Sequence, residues 1–348
     1  MLINNKKITI DFKLSTLLKI VAVCLAVFLL FYIREILLMV FVSLILASAI
    51  KPWVDWFGKN KVPRALGILI IYLIGLWVVF MAFFLLIDPI SLEVKNLSDD
   101  FPVYWQKISS GWSSLEAFSQ SHGLKESIED ALSNMQAGLA SLATNLIGGI
   151  VSFIGNLFSL LVILVMTFYL AVYDRQMKAG ARSLLPAKHR DYFDHLVDRM
   201  QEKIGLWLRG QLLLCLVIFV MSLAGLLLLG VKYAWVLALL AGLVEIIPYL
   251  GPFIAGIPIV FIASTQSLWL GLAALILFVA IQQLENYFIT PQIMRKAIGL
   301  NPVITIIAMM IGFELSGLLG IILSVPVATA IGVGLGDYLE HRKRRQDI

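Results

Sequence analysis

Two glutamates, Glu245 and Glu314, each stand alone inside a long apolar stretch of this 348-residue chain. Ionisable side chains in such stretches are costly and face protein or a cavity rather than lipid, so they mark candidate pathways for ions, protons or polar solutes. Helix breakers come after each one: Pro248, Gly251, Pro252, Gly256 and Pro258 after the first, Gly317, Gly320 and Pro326 after the second. Burial disfavours the charged form of a carboxyl. Glu245 could therefore couple transport to a proton gradient, or be a neutral, hydrogen-bonded residue that fixes a helix break, and Glu314 has the same two readings. Gln282, Gln283, Glu285 and Asn286 form a polar cluster at the end of another apolar run, either as an interfacial cap or as part of a substrate site or gate. Pro248, Gly251 and Pro252 are expected to open the backbone, leaving carbonyl and amide groups to a ligand or a hinge. Tyr249 and Trp269 suit either a pocket or an aromatic belt.

Composition says what kind of protein must hold these residues. Hydrophobic residues make up 60% of the chain and charged ones only 14%, and mean hydropathy is +0.93. A soluble domain carries about a quarter charged residues, so this is an all-α, multi-pass membrane protein. Ala65 to Ile87, Leu146 to Tyr173 and Gly210 to Val231 contain no charge, and each reaches the roughly 20 residues that a 30 Å hydrocarbon core requires. The net charge of +5 does not point to nucleic acid, because the basic residues cluster at helix ends, where membrane orientation explains them. Cys24 and Cys215 lie in apolar stretches and suit packing. The four histidines show no ligand spacing, so neither a metal nor a cofactor is expected. The chain has no G-x-x-x-x-G-K-[ST], H-E-x-x-H or G-x-S-x-G pattern, which argues against ATP hydrolysis and against an enzyme.

The elements can be placed from charge and length. Residues 17–50 are too long for one untilted span, and Arg34-Glu35 divides them into two. That division puts Lys6, Lys7, Lys13 and Lys19 on the same side as Lys51, Lys59, Lys61 and Arg64, the cytoplasmic side by the positive-inside rule. Residues 1–87 thus hold three N-terminal spans. Residues 88–145 form an extracytoplasmic helical insert in which Leu124, Ile128, Leu132, Met135, Leu139, Leu142 and Leu146 mark an amphipathic helix. Its apolar stripe needs a partner, either the insert's own upstream helix or a neighbouring protomer. Residues 146–209 hold the fourth span and a charged cytoplasmic loop, with an amphipathic helix from about Lys188 to Arg209 near the membrane surface. Residues 210–336 are the transport core and 337–348 a basic cytoplasmic tail.

Within the core the only charged residues from Gln211 to Gly336 are Lys232, Glu245, Glu285, Arg295, Lys296 and Glu314. Tyr233 to Ser264 and Pro302 to Val333 are each longer than one span and shorter than two. Each could be a kinked full span, giving eight spans in all, or a re-entrant hairpin with a Gly/Pro tip, giving about six full spans and two hairpins. Hairpins put Arg295 and Lys296 on the same side as every other basic cluster, and that reading is favoured. They would also make two repeats of opposite topology, a common transporter design.

The run Glu245-Ile246-Ile247-Pro248-Tyr249-Leu250-Gly251-Pro252 continuing to Pro258, and Gln282-Gln283-Leu284-Glu285-Asn286 with Pro291, resemble the autoinducer-2 exporter family of permeases. Gly299-Leu300-Asn301-Pro302, Gly317 to Pro326, and Phe168-Tyr169-Leu170-Ala171-Val172-Tyr173-Asp174 extend the resemblance. It implies an inner-membrane permease that forms homo-oligomers, with a furanosyl signalling molecule as substrate in some members and sodium or lithium exchanged for protons in others. The expectation is a secondary transporter of a small polar solute, coupled to H+ or Na+. Its alternatives are a cation/proton antiporter and a passive channel or facilitator.

Overall fold

The structure, a computed structural model, describes residues 32–111, 157–294 and 301–346 with a few positions between 19 and 29. Most of the first expected span, the amphipathic helix expected over Leu124 to Leu146, the start of the fourth span and the Arg295-Lys296 loop lie outside the described residues. Every regular element described is helical. In chain order these are α1 (Arg34–Lys59), α2 (Arg64–Gly111), α3 (Leu157–Val172), α4 (Asp174–Ser183), α5 (Arg190–Leu229), α6 (Ala234–Val244), α7 (Gly251–Gln266), α8 (Leu268–Leu284), a π-helical turn (Glu285–Ile289), α9 (Thr290–Met294) and α10 (Pro302–Gln346). By length and composition alone, five helical stretches among the described residues could cross a membrane, the Pro302–Asp337 run counted as one despite its break at Ser316 and Gly317, or six if α3 and α4, bent by 72° at Tyr173, count as one. The chain is an all-α multi-pass membrane protein.

α1, α2 and α3 form the N-terminal bundle. Their polar side chains bond to backbone rather than face lipid: Ser43 Oγ donates to Met39 O at 2.7 Å, Thr167 Oγ1 to Ile163 O at 2.7 Å, and Tyr72 Oη to Leu164 O at 2.9 Å. The first two bonds close within their own helix, whereas Tyr72 joins α2 to α3, and a bond between membrane helices contributes about 0.6 kcal/mol on average. α2 does not stop at the end of its apolar run but continues as one helix to Gly111. α5 likewise unites two expected elements. Instead of a separate surface helix before a span, residues 190–229 are one helix, about 60 Å long, whose charged first half projects beyond the apolar second half.

α5 ends at Gly230, whose φ of 69° supplies the left-handed C-terminal cap. Beyond this cap the chain forms a hairpin. α6 has 11 residues, about 16 Å, too short to cross. The chain reverses over residues 245–250, where Tyr249 adopts φ 65°, and α7 runs back against it. Lys232 N donates to Gln266 Oε1 at 3.2 Å, so the two open ends of the hairpin lie together. Gly251 is required at the reversal, since a Cβ there would sit 2.5 Å from Val244 O.

The stretch from Pro302 also folds back on itself. Ser316 and Gly317 leave helical geometry, Gly317 has φ 60°, and the backbones of Gly312 and Gly320 touch, leaving no room for a side chain on either. The two hairpins open toward opposite ends of α5. The first opens beside Gly230, whereas Asp337 on the return arm of the second pairs with Arg199 in the first turns of α5.

The basic end of the molecule carries an ion network where α1, α4 and α5 meet. Lys51 Nζ lies 3.5 Å from Asp174 and 3.6 Å from Asp198, and Lys178 Nζ lies 3.3 and 2.5 Å from the same two carboxylates. Burial alone would raise the Asp174 carboxyl, but the hydrogen bond from Gln201 and the charges of Lys51 and Lys178 hold it below its usual value. Asp198 is held down in the same way by Lys178 and Lys51. Lys178 is held above its usual value, burial being outweighed by its bonds to Asp198 and Asp174. Carboxyls that are lower in the folded state bind fewer protons there than in the unfolded state, so stability rises with pH across their titration. The network's contribution should be complete above the ordinary aspartate value of 3.8 and disappear as pH falls through the lower folded-state values. At the alkaline limit it should persist up to 10.5 and decline only above that. In detergent, Asp174→Asn should melt below the wild type at pH 7, and the gap should close under acid. A gap that stays constant down to the acid limit would show that the network does not act through charge.

Candidate functional site

The reversal between α6 and α7 leaves backbone groups without helical partners, and inside a membrane those groups need internal ones. Glu245 N still donates to Ala241 O at 3.2 Å, but past Glu245 the α6 ladder ends. Gln211 of α5 fills the gap: its Nε2 donates to the Glu245 carbonyl at 2.5 Å, and both residues are buried. Gly242 packs against Cys215 O and Phe219 of α5, and this close approach sets the height at which the tip meets Gln211.

The Glu245 side chain is 3% exposed and meets Glu285, which is 6% exposed. The two carboxyl groups come within hydrogen-bonding reach of each other. Glu285 opens the π-helical turn, in which Thr290 N bonds to Glu285 O five residues back. Pro291 comes next, with no N–H to give and a ring that crowds the carbonyl four residues before it. Such bulges are rare and concentrate at functional sites. Thr290 Oγ1 donates to Glu285 Oε1 at 3.4 Å, and the Gln282 side chain also engages the Glu285 carboxyl, although Gln282 Nε2 and Glu285 Oε2 meet no partner in good alignment.

The sequence-derived candidates separate into three places. Glu245, Glu285 and Gln282 converge on the first hairpin tip. Gln283 and Asn286 are exposed beside them and, with Gln282, Tyr249 and Pro252, line a groove between α7 and α8. Pro248 lies within the reversal and Pro258 is buried in α7. Glu314, Gly317 and Gly320 belong to the second hairpin tip, where Glu314 is exposed, and Pro326 is buried in the return arm. The tips are joined by apolar packing: Ile247 shares one core cluster with Met309 and Ile321.

A hydrogen bond between two carboxyl groups requires one proton between them, and two ionised carboxylates in contact repel strongly where the dielectric is low. The constellation can hold a proton and exchange it, with Thr290 and Gln211 supplying neutral polar groups around it. No cluster of three or more His, Cys, Asp or Glu suited to a metal occurs among the described residues.

A profile of the AI-2E family transporter matches residues 18–340. The chain belongs to that family. Bacillus subtilis YrrI, which bears the name of a transport protein, is 26% identical over 89% of this chain and 88% of its own length. B. subtilis YueF, named in the same way, is 29% identical over 78% and 76%. The AI-2 transport protein TqsA of Escherichia coli is 24% identical over 87% and 86%. This AI-2E member is thus a transport protein of the membrane.

Sequence reasoning did not single out Gln211, which looks like the polar edge of an apolar run, or Thr290. It also missed Glu93 on the extension of α2. Glu93 Oε2 accepts from Val236 N at 3.0 Å and also engages the Trp235 N–H, capping α6, whose first N–H groups have no helical partner. Burial pushes the Glu93 carboxyl up, an effect that the two backbone bonds only partly offset. Removing this cap with Glu93→Ala should cost about 1 kcal/mol and speed amide exchange in residues 234–244, while Glu93→Gln, which keeps an acceptor, should stay near wild type. Equal protection of α6 in all three proteins would show that the contact carries no weight.

Proposed function

We propose that this protein is a secondary transporter in which the Glu245 and Glu285 carboxyl pair couples movement of a small solute to a proton gradient. The observation behind this reading is the pair itself, two buried carboxyls in contact at the tip of a broken hairpin, where backbone irregularity and ionisable groups coincide. Membership of the AI-2E family supports an autoinducer-2-like solute as the cargo, since TqsA bears the name of an AI-2 transport protein, and export is the direction proposed with it. The same reading places the chain in the inner membrane as a homo-oligomer. Lys51, Lys59, Arg64, the α4 to α5 segment and the Arg342 to Arg345 tail then face the cytoplasm, in keeping with the positive-inside rule.

A second reading, exchange of sodium or lithium for protons, draws on the oxygen atoms around the pair: the Glu245 and Glu285 carboxyls and the Thr290 hydroxyl. Hard monovalent cations prefer such ligands, and one arriving there would displace the shared proton.

Proteoliposome flux under an imposed pH gradient tests both readings. One coupled proton supports about tenfold solute accumulation per pH unit. Wild-type protein should reach accumulation of that order, whereas Glu245→Gln and Glu285→Gln should only equilibrate the solute. Glu314→Gln, which lies apart from the pair, should retain coupling. Flux indifferent to the gradient in wild type, with both variants unchanged, would leave a passive facilitator as the account of this protein.

A further inference from the structure

The short helix α4 leaves α3 at 72°. α3 lies along the spanning helix α1, with Thr167 Oγ1 reaching Ser43 O at 3.4 Å, so α4 runs close to the plane of the bilayer. Its level is fixed by α1. Asp174, the first residue of α4, lies 3.5 Å from Lys51, which precedes Trp53 by two residues and Trp56 by five. Both tryptophans are exposed, and exposed tryptophans on a spanning helix mark the headgroup layer.

α4 has two unlike faces. Asp174, Lys178 and Arg182, spaced by four, turn toward α1 and α5, where their ion pairs lie. Tyr173, Met177 and Leu184 share another face at helical spacing and are 43%, 50% and 86% exposed. That face continues the side of α3 that no other element covers. The Tyr173 ring stacks on Tyr169, one turn earlier in α3, with centroids 6.0 Å apart, and Tyr169 is itself exposed. A surface helix with an apolar face turned toward the hydrocarbon lies in the interface, that face sunk roughly 5–10 Å into the boundary of headgroups and acyl chains.

Charge identifies what meets the other side of that boundary. The aspartates at this end are matched: Asp55 by Arg64, Asp191 and Asp194 by Arg182, and Asp174 and Asp198 by Lys51 and Lys178. Glu202 lies beside Arg209. Lys59, Lys61 and Arg175 are exposed and have no ion pair among the described residues. Asp55 and Arg64 wall the same cavity as Met177 and Lys178, so the turn between α1 and α2 adjoins α4. The charge left over on this surface is therefore positive.

We propose that α4 and the adjoining turn form a docking surface for anionic phospholipid, with Tyr173, Met177 and Leu184 in the acyl boundary and Lys59, Lys61 and Arg175 on headgroup phosphates. A second copy of the chain would cover Leu184 but bring the same three cations with it. Phospholipid matches both the apolar face and the unpaired charge. The proposal requires only that the chain spans a membrane and stands apart from the coupling reading.

Two measurements on the full-length protein test it. In nanodiscs, a nitroxide on Leu184→Cys, in a Cys24→Ser, Cys215→Ser background, should collide with dissolved oxygen in preference to a water-soluble nickel chelate. A nitroxide on Ala179→Cys, on the opposite face of α4, should show the reverse. In detergent, titration followed by native mass spectrometry should show phosphatidylglycerol binding more tightly than phosphatidylcholine. Lys59→Gln, Lys61→Gln and Arg175→Gln should each weaken phosphatidylglycerol binding by about fivefold, as expected for one basic residue near an anionic surface, and leave phosphatidylcholine binding and the melting temperature unchanged. If the cysteine variants fold poorly, the wild-type titration still decides. An aqueous environment at position 184, equal binding of the two lipids by wild type, or indifference to all three glutamine substitutions would overturn the proposal. So would spin–spin broadening between copies at position 184, which would assign the face to a second protomer.

Discussion

Inside a hydrocarbon layer a backbone that leaves its helix must find hydrogen-bond partners within the protein, and much of this molecule's core is shaped by that requirement. The non-helical chain at the first hairpin tip, residues 245–250, exposes the Glu245 carbonyl, and Gln211 of α5 answers it at 2.5 Å. The small residues around the tip serve the same end. Gly242 lets α6 come close to α5, and Gly251 lets the chain turn beneath Val244. Once the tip is seated, the Glu245 side chain has nowhere to go but toward α8, where the π-helical turn presents Glu285.

Two hairpins opening toward opposite ends of α5 place their tips within one apolar cluster, through Ile247 on one side and Met309 and Ile321 on the other. The first hairpin is also held at its open end, where Lys232 bonds to Gln266 and Glu93 caps α6. The second is held at the basic end by the pairing of Arg199 with Asp337. Changes in charge at either end of the molecule therefore reach a hairpin directly.

The membrane class and the two broken stretches were legible in the sequence, because composition, span length and Gly/Pro punctuation are local properties. Glu245 was legible for the same reason, as a charge isolated among apolar residues. Its pairing with Glu285 was not. The two are far apart in the chain, and the contact depends on a turn with one residue more than an α-helix, which no periodicity announces. Glu314 shares the sequence signature of Glu245, yet it is exposed at the other tip, because position relative to a reversal, rather than isolation in the chain, decides what a side chain meets. Gln211 and Glu93 were silent since each acts on a backbone group of a distant element. The single helix of residues 190–229 shows the limit of reading polarity as a boundary: a change from charged to apolar composition marked depth in the membrane, not the end of an element.

The coupling proposed for this molecule depends on Glu245 and Glu285 holding one proton between them. Infrared difference spectroscopy of the protein in lipid reads a protonated carboxyl directly through its C=O stretch. A protonated-carboxyl band at neutral pH that shifts when H2O is replaced by D2O, and is lost in Glu245→Gln and in Glu285→Gln alike, is the expected result. A wild-type spectrum with no such band, or one that both substitutions leave untouched, would contradict it.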